Sequence, residues 1–245
     1  MKKEKKQKKI KNRRWFMCLL RGLVKIFIRK PKTIYLGEKV EEKSVILSNH
    51  VGSAGPLTLE CYFKDQPFRF WGTYEMNGSL KDVYKYLSEI FYHQKKGWNL
   101  TLARIFCLIA APLVRCFYAG LNLISTYPDM RFKSTLQESK KTFESGQSLI
   151  IFPEDSSKGY FDELTSFYGG FAVFANTLYK KGIDTPIYAS YLNKKTKIHV
   201  ISEKMMFSEL IKDGFDKEKL AKQMLDKVNG LREYTLKNKE EKPQE

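Results

Sequence analysis

The sequence is poor in the residues that build metal centres and disulfide frameworks. Its four cysteines, Cys18, Cys61, Cys107 and Cys116, show no C-x-x-C spacing, and its three histidines, His50, His93 and His199, are scattered. No metal-ligand set follows from such spacings, and the cysteines read as reduced thiols in a protein that faces the cytosol. Acidic residues are few as well: 27 Asp and Glu stand against 44 Lys and Arg, a formal charge of +17. No apolar run reaches the roughly 20 residues of a bilayer span. The run at residues 15–28 is interrupted by Arg21 and Lys25, and the one at residues 105–114 is bracketed by Arg104 and Arg115. No small-residue cleavage site follows the first run, so it reads as retained rather than as a signal peptide. A G-x-S-x-G nucleophile elbow, an internal repeat and a recognised nucleic-acid motif are all missing.

What the chain has in excess is positive charge, concentrated at its start. Nine Lys and Arg residues between Lys2 and Arg14 precede the apolar stretch, in which Trp15, Phe16, Leu19, Leu20, Leu23, Val24, Phe27 and Ile28 recur near helical spacing. Such an excess draws a protein to polyanions, either nucleic acid or an anionic membrane face. A basic arm followed by an amphipathic helix favours the membrane, each basic residue contributing on the order of 1 kcal/mol against an anionic leaflet. The aromatics fall mostly in apolar runs rather than between Lys and Arg, so no nucleic-acid partner is expected. Residues 105–114 read as either a buried helix or a second interfacial insertion, and the arginines on both sides, spaced to reach headgroups, favour the second.

The chain divides into a basic arm (1–14), an amphipathic interface helix (15–30), one domain (31–236) and a charged tail (237–245). Within the domain, strands are expected at 33–36, 43–47, 68–73, 121–125, 148–152, 186–191 and 198–201. Helices are expected from Pro56 onward and at 80–92, 131–145, 169–181 and 216–236. Strands alternating with helices predict an α/β domain with a mostly parallel mixed sheet flanked by helices.

Two stretches break from buried-looking strands into Gly, Pro and polar residues: Ser48-Asn49-His50-Val51-Gly52-Ser53-Ala54-Gly55-Pro56 and Ile151-Phe152-Pro153-Glu154-Asp155-Ser156-Ser157-Lys158-Gly159. Catalytic and ligand groups of open α/β sheets collect beyond the carboxyl ends of strands, so both turns are expected to face one crevice. There His50, with an ordinary pKa near 6.5, is placed to take a proton from an attacking hydroxyl.

Asn49-His50 and Phe152-Pro153-Glu154, with a basic loop between them and a Pro-Ile strand after them, resemble the glycerolipid acyltransferases. These are the bacterial lysophosphatidic acid acyltransferase-like enzymes, and the likeness in order and spacing runs from about residue 30 to residue 235. The resemblance implies an acyltransferase-like fold, a peripheral protein on the cytoplasmic face of the cell membrane, and acyl transfer from acyl-CoA or acyl-carrier protein. The acceptor is the hydroxyl of a lysophospholipid or glycerol-phosphate, and neither cofactor nor metal is implied. Carried over, His50 is the general base, Asn49 its motif neighbour at the acceptor, and Glu154 a ligand of the acceptor's glycerol-phosphate. Arg131 is the phosphate contact, shifted by several residues, and Lys158 stands in for a missing arginine as a point charge.

The departures are specific. Gly55 occupies the place of the aspartate that orients the family's histidine, Asp155 follows Glu154 where the family has glycine, Ser157 replaces an arginine and Ala189 a proline. An unoriented histidine loses tautomer control, worth about 10⁴-fold in a serine protease triad. Asp155 is the candidate replacement carboxylate or else a cap for the following loop, with Glu60 second because helical geometry points it away. The rival reading is a lipid-binding protein of the same fold that has lost activity.

Overall fold

In the two most apolar short runs of the chain, Val45–Ser48 (β2) and Ser148–Ile151 (β5), every residue is buried, which only a strand covered on both faces requires. They pair in parallel at the centre of the sheet. The computed structural model describes residue 13 and residues 16–238, apart from 53 and 156–158. The other strands are β1 (Lys32–Tyr35), β3 (Phe68–Thr73), β4 (Ile124–Thr126), β6 (Pro186–Asn193), β7 (Ile198–Ile201) and β8 (Met205–Met206). The order is β1-β7-β6-β2-β5-β3-β4, with β8 beside β6. From β6 to β4 all neighbours run parallel; β7 is antiparallel to β6, and β1 is parallel to β7. The chain is thus an α/β protein with a mostly parallel mixed sheet flanked by helices.

Strand alternation sends side chains to two cores. Val45, Leu47, Leu149 and Ile151 pack with Phe171 and Phe174 of α7 (Gly170–Tyr179) and Met224 and Val228 of α9 (Lys217–Lys237). Ile46, Ile150 and Tyr188 pack on the other face with Leu59 of α2 (Ala54–Tyr62), Met17 of α1 (Met17–Phe27) and Leu121 of α5 (Leu100–Leu121). The remaining helices are α3 (Tyr74–Asn77), α4 (Leu80–Lys85), α6 (Phe132–Glu144) and α8 (Phe207–Leu210).

Several boundaries differ from the sequence reading. Helix α2 begins at Ala54, two residues before Pro56. The helix expected over 80–92 is α-helical only to Lys85 and continues as a π-helix over Tyr86–Lys95. The strand expected at 121–125 starts at Ile124, because α5 runs unbroken past Pro112 to Leu121. Counting uninterrupted apolar residues underestimated this segment. As a helix it is long and apolar enough to cross a membrane by length and composition. Ala103 is buried and Cys107 and Ala111 pack inward against Val83 and Leu87, while Leu102, Ile105, Leu108, Ile109 and Leu113 face outward, Ile109 being 74% exposed.

The amphipathic helix forms where expected, and its Leu19, Leu23, Ile26 and Phe27 are exposed. Its seat is polar as well as apolar. Glu60, buried on α2, takes Arg13 at 2.6 Å and Arg21 at 2.6 Å. The Arg13 guanidinium also donates to the Phe68 carbonyl at 3.0 Å and lies 4.8 Å from the Phe68 ring centre. So Arg13, read as part of a basic arm, is anchored in the domain, and Glu60 points away from His50 because it holds these arginines. The rest of the arm and residues 239–245 of the tail lie outside the described residues.

Removing one partner of a buried ion pair leaves charge uncompensated, at a cost of roughly 3 to 5 kcal/mol. Glu60→Ala is therefore expected to destabilise the protein by about 3 kcal/mol in urea denaturation. Arg21→Ala, on the partly exposed arm of the pair, is expected to cost under about 1 kcal/mol.

Candidate functional site

Register brings the two turns together. Leu47 lies opposite Ile151 in the parallel β2–β5 pair. His50 and Glu154 each follow three residues later, so they leave the sheet side by side at its carboxyl edge.

The His50 turn is tight. Val51 and Gly52 both take left-handed φ values, +48° and +62°, a conformation that a β-branched residue adopts only under constraint. The amides of Ala54 and Gly55 close the turn onto the carbonyls of Val51 and His50. A Cβ on Gly55 would sit 2.2 Å from the His50 carbonyl oxygen and 3.1 Å from that of Asn49. The aspartate expected from the family pattern has no room in this turn, which explains the glycine.

Asn49 is 1% exposed. Its Nδ2 donates to the Leu192 carbonyl at 3.0 Å and its Oδ1 accepts from the Leu192 amide at 2.7 Å. Both ends of the amide are committed to β6, so Asn49 fixes the turn and does not reach a substrate.

The His50 ring stacks on Tyr160 at 4.9 Å between centroids and meets the edge of Phe152 at 4.9 Å. Its Nδ1 is buried with no hydrogen-bond partner among the described residues. Burial holds the imidazole pKa down at about 4, against the Gly52 backbone and with a smaller push from the Lys95 charge, so it is neutral at pH 7. Burial likewise pushes Glu154 up to about 7, against a hydrogen bond from the His50 backbone N–H and the charge of Lys95. Glu154 Oε1 is also buried without a partner among the described residues. Two titratable groups on adjacent strands thus have their pKa values driven past each other, a neutral base beside a half-protonated acid.

Asp155 does not take the aspartate's role, since Nδ1 of His50 has no hydrogen-bond partner among the described residues. The Asp155 carboxylate faces the Tyr168 hydroxyl and Lys95, and its backbone N–H donates to Ser166 at 3.2 Å. Glu154 and Phe167 form a β-bridge that fixes this turn.

Arg131 is also elsewhere. It follows the edge strand β4, three strands from β2 and roughly 14 Å away at normal strand spacing. There it binds Asp129 bidentately, at 2.7 Å at the shorter end, with its guanidinium 4.6 and 4.9 Å from the ring centres of Tyr127 and Tyr74. Lys158 lies outside the described residues.

Three features of the crevice escaped the sequence reading. Lys95, at the end of the π-helix, lies 5.8 Å from the Tyr160 ring centre, on the ring that stacks against His50. Tyr86 and Tyr118 are partly buried near Tyr160, and desolvation raises the pKa of both, Tyr118 to about 12. In sequence, Gln94-Lys95-Lys96-Gly97 reads as an ordinary solvated helix end. In the structure Lys95 closes the π-helix and lies over Tyr160.

No family model matches the chain, and no curated protein matches it. Among the described residues no group of three or more His, Cys, Asp or Glu is placed to hold a metal ion.

Two measurements check this geometry. Gly55→Asp is expected to destabilise the protein by about 2 kcal/mol or more through overpacking; equal or greater stability in denaturant titration would show that the turn tolerates a carboxylate there. For Glu154, a folded-state pKa near 7 against an ordinary 4.5 means that the native state holds the proton longer. Stability therefore falls as pH rises from about 4.5 through 7. Glu154→Gln removes this loss and is expected to stabilise the fold by on the order of 3 kcal/mol at pH 8, with little effect at pH 4.

Proposed function

We propose that the protein is a membrane-associated O-acyltransferase of acyltransferase-like fold. In this reading it works on the cytoplasmic face of the cell membrane and moves an acyl chain from acyl-CoA or acyl-carrier protein to a lysophospholipid or glycerol-phosphate hydroxyl. The observation that carries the reading is the juxtaposition of His50 and Glu154 at one level beyond adjacent parallel strands, the histidine held neutral. His50 takes the proton of the acceptor hydroxyl as its oxygen attacks the thioester carbonyl. The tetrahedral intermediate collapses, the C–S bond breaks, and the departing thiolate takes the proton from the imidazolium. The acyl ester and the free thiol are the products. Glu154, half-protonated near pH 7, hydrogen-bonds the acceptor's glycerol oxygens without the full repulsion that two anions would suffer.

Other features support a lipid substrate. The outer faces of α1 and α5 carry exposed leucine, isoleucine and phenylalanine on a strongly basic chain, the pattern of an interfacial protein. A cleft of about 280 Å³ adjoins the His50 turn, its wall including Ala54 and Leu192. Apolar Phe27 and Ile28 and basic Arg29, Lys194 and Lys197 also line it, a combination suited to an anionic amphiphile. One observation favours the second reading, a lipid-binding protein without activity: among the described residues no carboxylate orients His50 Nδ1.

Acyl transfer from acyl-CoA to a panel of lysophospholipids and glycerol 3-phosphate separates the two. The enzyme reading expects product that falls at least about 10³-fold in His50→Ala, the loss of a general base in a preorganised site. Lipid binding to liposomes without product, unchanged in His50→Ala, would establish the second reading in its place.

A further inference from the structure

We infer that Tyr160 is the positioning residue of His50, its stacked ring holding the imidazole in a plane that a carboxylate elsewhere fixes by a hydrogen bond. This rests on reading His50 as the base of the crevice.

The usual way to hold a catalytic histidine is closed in this turn. A Cβ at Gly55 would sit 2.2 Å from the His50 carbonyl oxygen, so a carboxylate has no room at that place. What the turn has instead is a ring on each of two sides. Tyr160 covers the imidazole face at 4.9 Å between centroids and 25° between planes, and Phe152 meets the imidazole at 4.9 Å and 62°. The face contact stops the imidazole from tilting, and the edge contact stops it from sliding.

Both rings are themselves held. Phe152 stacks on Phe70 at 5.8 Å, and Phe70 is buried in the core on that face of the sheet. Tyr160 lies against the His50 turn itself, since a Cβ on Gly52 would come 3.9 Å from the Cδ2 of its ring. The Lys95 ammonium is 5.8 Å from the centre of the same ring. Phe152 and Tyr160 flank Glu154 in sequence, so the segment that brings the acid to the crevice also brings both rings to the base.

The contact suits the chemistry. Before the reaction the neutral imidazole and the phenol ring pack as an aromatic pair. Once His50 takes a proton it is a cation on the electron-rich face of Tyr160, and the attraction grows. A contact that strengthens as charge develops favours the transition state over the ground state. Burial is the main influence on the ring's protonation; the Gly52 backbone favours the charged form, and Lys95 of the π-helix disfavours it. Glu154 and Asp155 of the β5 turn face Lys95, and Tyr86 of the π-helix and Tyr118 of α5 stand near Tyr160. Of these groups Tyr160 is the one stacked on the imidazole.

The test is nuclear magnetic resonance of the His50 ring in full-length protein, its signals assigned by their loss in His50→Gln. Tyr160→Phe and Tyr160→Leu are measured beside wild type. Phenylalanine keeps the ring and drops the hydroxyl, while leucine fills space without a π face. In wild type and Tyr160→Phe the His50 ring protons are expected upfield of their solvent-exposed position, with rigid ring C–H bonds. In Tyr160→Leu the upfield shift is expected to vanish and the order parameter of those bonds to fall below about 0.6. An unchanged signal from His199, buried in the sheet, reports that the fold is intact. In acyl transfer from acyl-CoA, Tyr160→Leu is expected to lower kcat about 10²-fold, as for a misplaced base. The acceptor KM should stay within about twofold, and Tyr160→Phe should keep the wild-type rate. A ring as ordered in Tyr160→Leu as in wild type overturns the inference, as does an unchanged kcat in that variant. So does Tyr160→Phe behaving like Tyr160→Leu, since the hydroxyl and not the stack would then hold the base. Tyr160→Phe must keep every wild-type property, which tests the stack even where Tyr160→Leu fails to fold. Ring order is read without turnover. A protein that transfers no acyl group yet loses that order in Tyr160→Leu therefore defeats the acyltransferase reading and leaves the positioning by Tyr160 standing.

Discussion

Everything in the crevice hangs on one alignment of two strands. With Leu47 opposite Ile151, the chain leaves β2 and β5 at the same height, and the third residue on each side is titratable. A slip of one residue would turn every side chain of a strand to the other face and break both cores. Val45 and Leu47 would lose Phe171 and Phe174, and Ile46 would lose Leu59. Burial on both faces therefore enforces the register, and the register enforces the meeting of His50 with Glu154. The chemistry of the site is a by-product of core packing that neither residue takes part in.

The same packing sets the electrostatics. Burial, rather than a charged partner, is the main force on both groups, and it acts in opposite directions on acid and base. This differs from a triad, in which a carboxylate on the far ring nitrogen does the tuning. Here the ring is held by aromatic contacts with Tyr160 and Phe152, which fix its plane.

Much of the fold could be read from the chain because its signals are local. β-Branched runs, the Gly146 stop after α6 and the Asp216 cap of α9 mark elements through their own chemistry. The pairing of the His50 and Glu154 turns was legible for the same reason: both follow buried strands. What was not legible depended on distant partners. Nothing local distinguishes Asn49 clamped to Leu192 from Asn49 facing a substrate, or Arg131 held by Asp129 from Arg131 awaiting phosphate. Lys95 was hidden for a different reason: the helix changes from α to π register at Tyr86, and a ten-residue π stretch is too short to impress its own period on the hydrophobic pattern. Gly55 read as a loss, yet in three dimensions it is what lets the turn close.

The central place of β2 also governs when the protein can fold. Both of its neighbours come from far down the chain: Ser44 meets Ser148 across 104 residues, and Ser48 meets Ser190 across 142. At ordinary synthesis rates of about 5–20 residues per second, Val45–Ser48 leaves the ribosome roughly ten seconds before either edge can be covered. During that interval an apolar strand with two open edges is exposed, the kind of segment that recruits other chains. Non-local closure of this sort is slow even after synthesis ends. The strand that makes the site is thus the one whose unpaired lifetime sets the risk of misassembly, and yield on expression should respond to whatever shields it in that window.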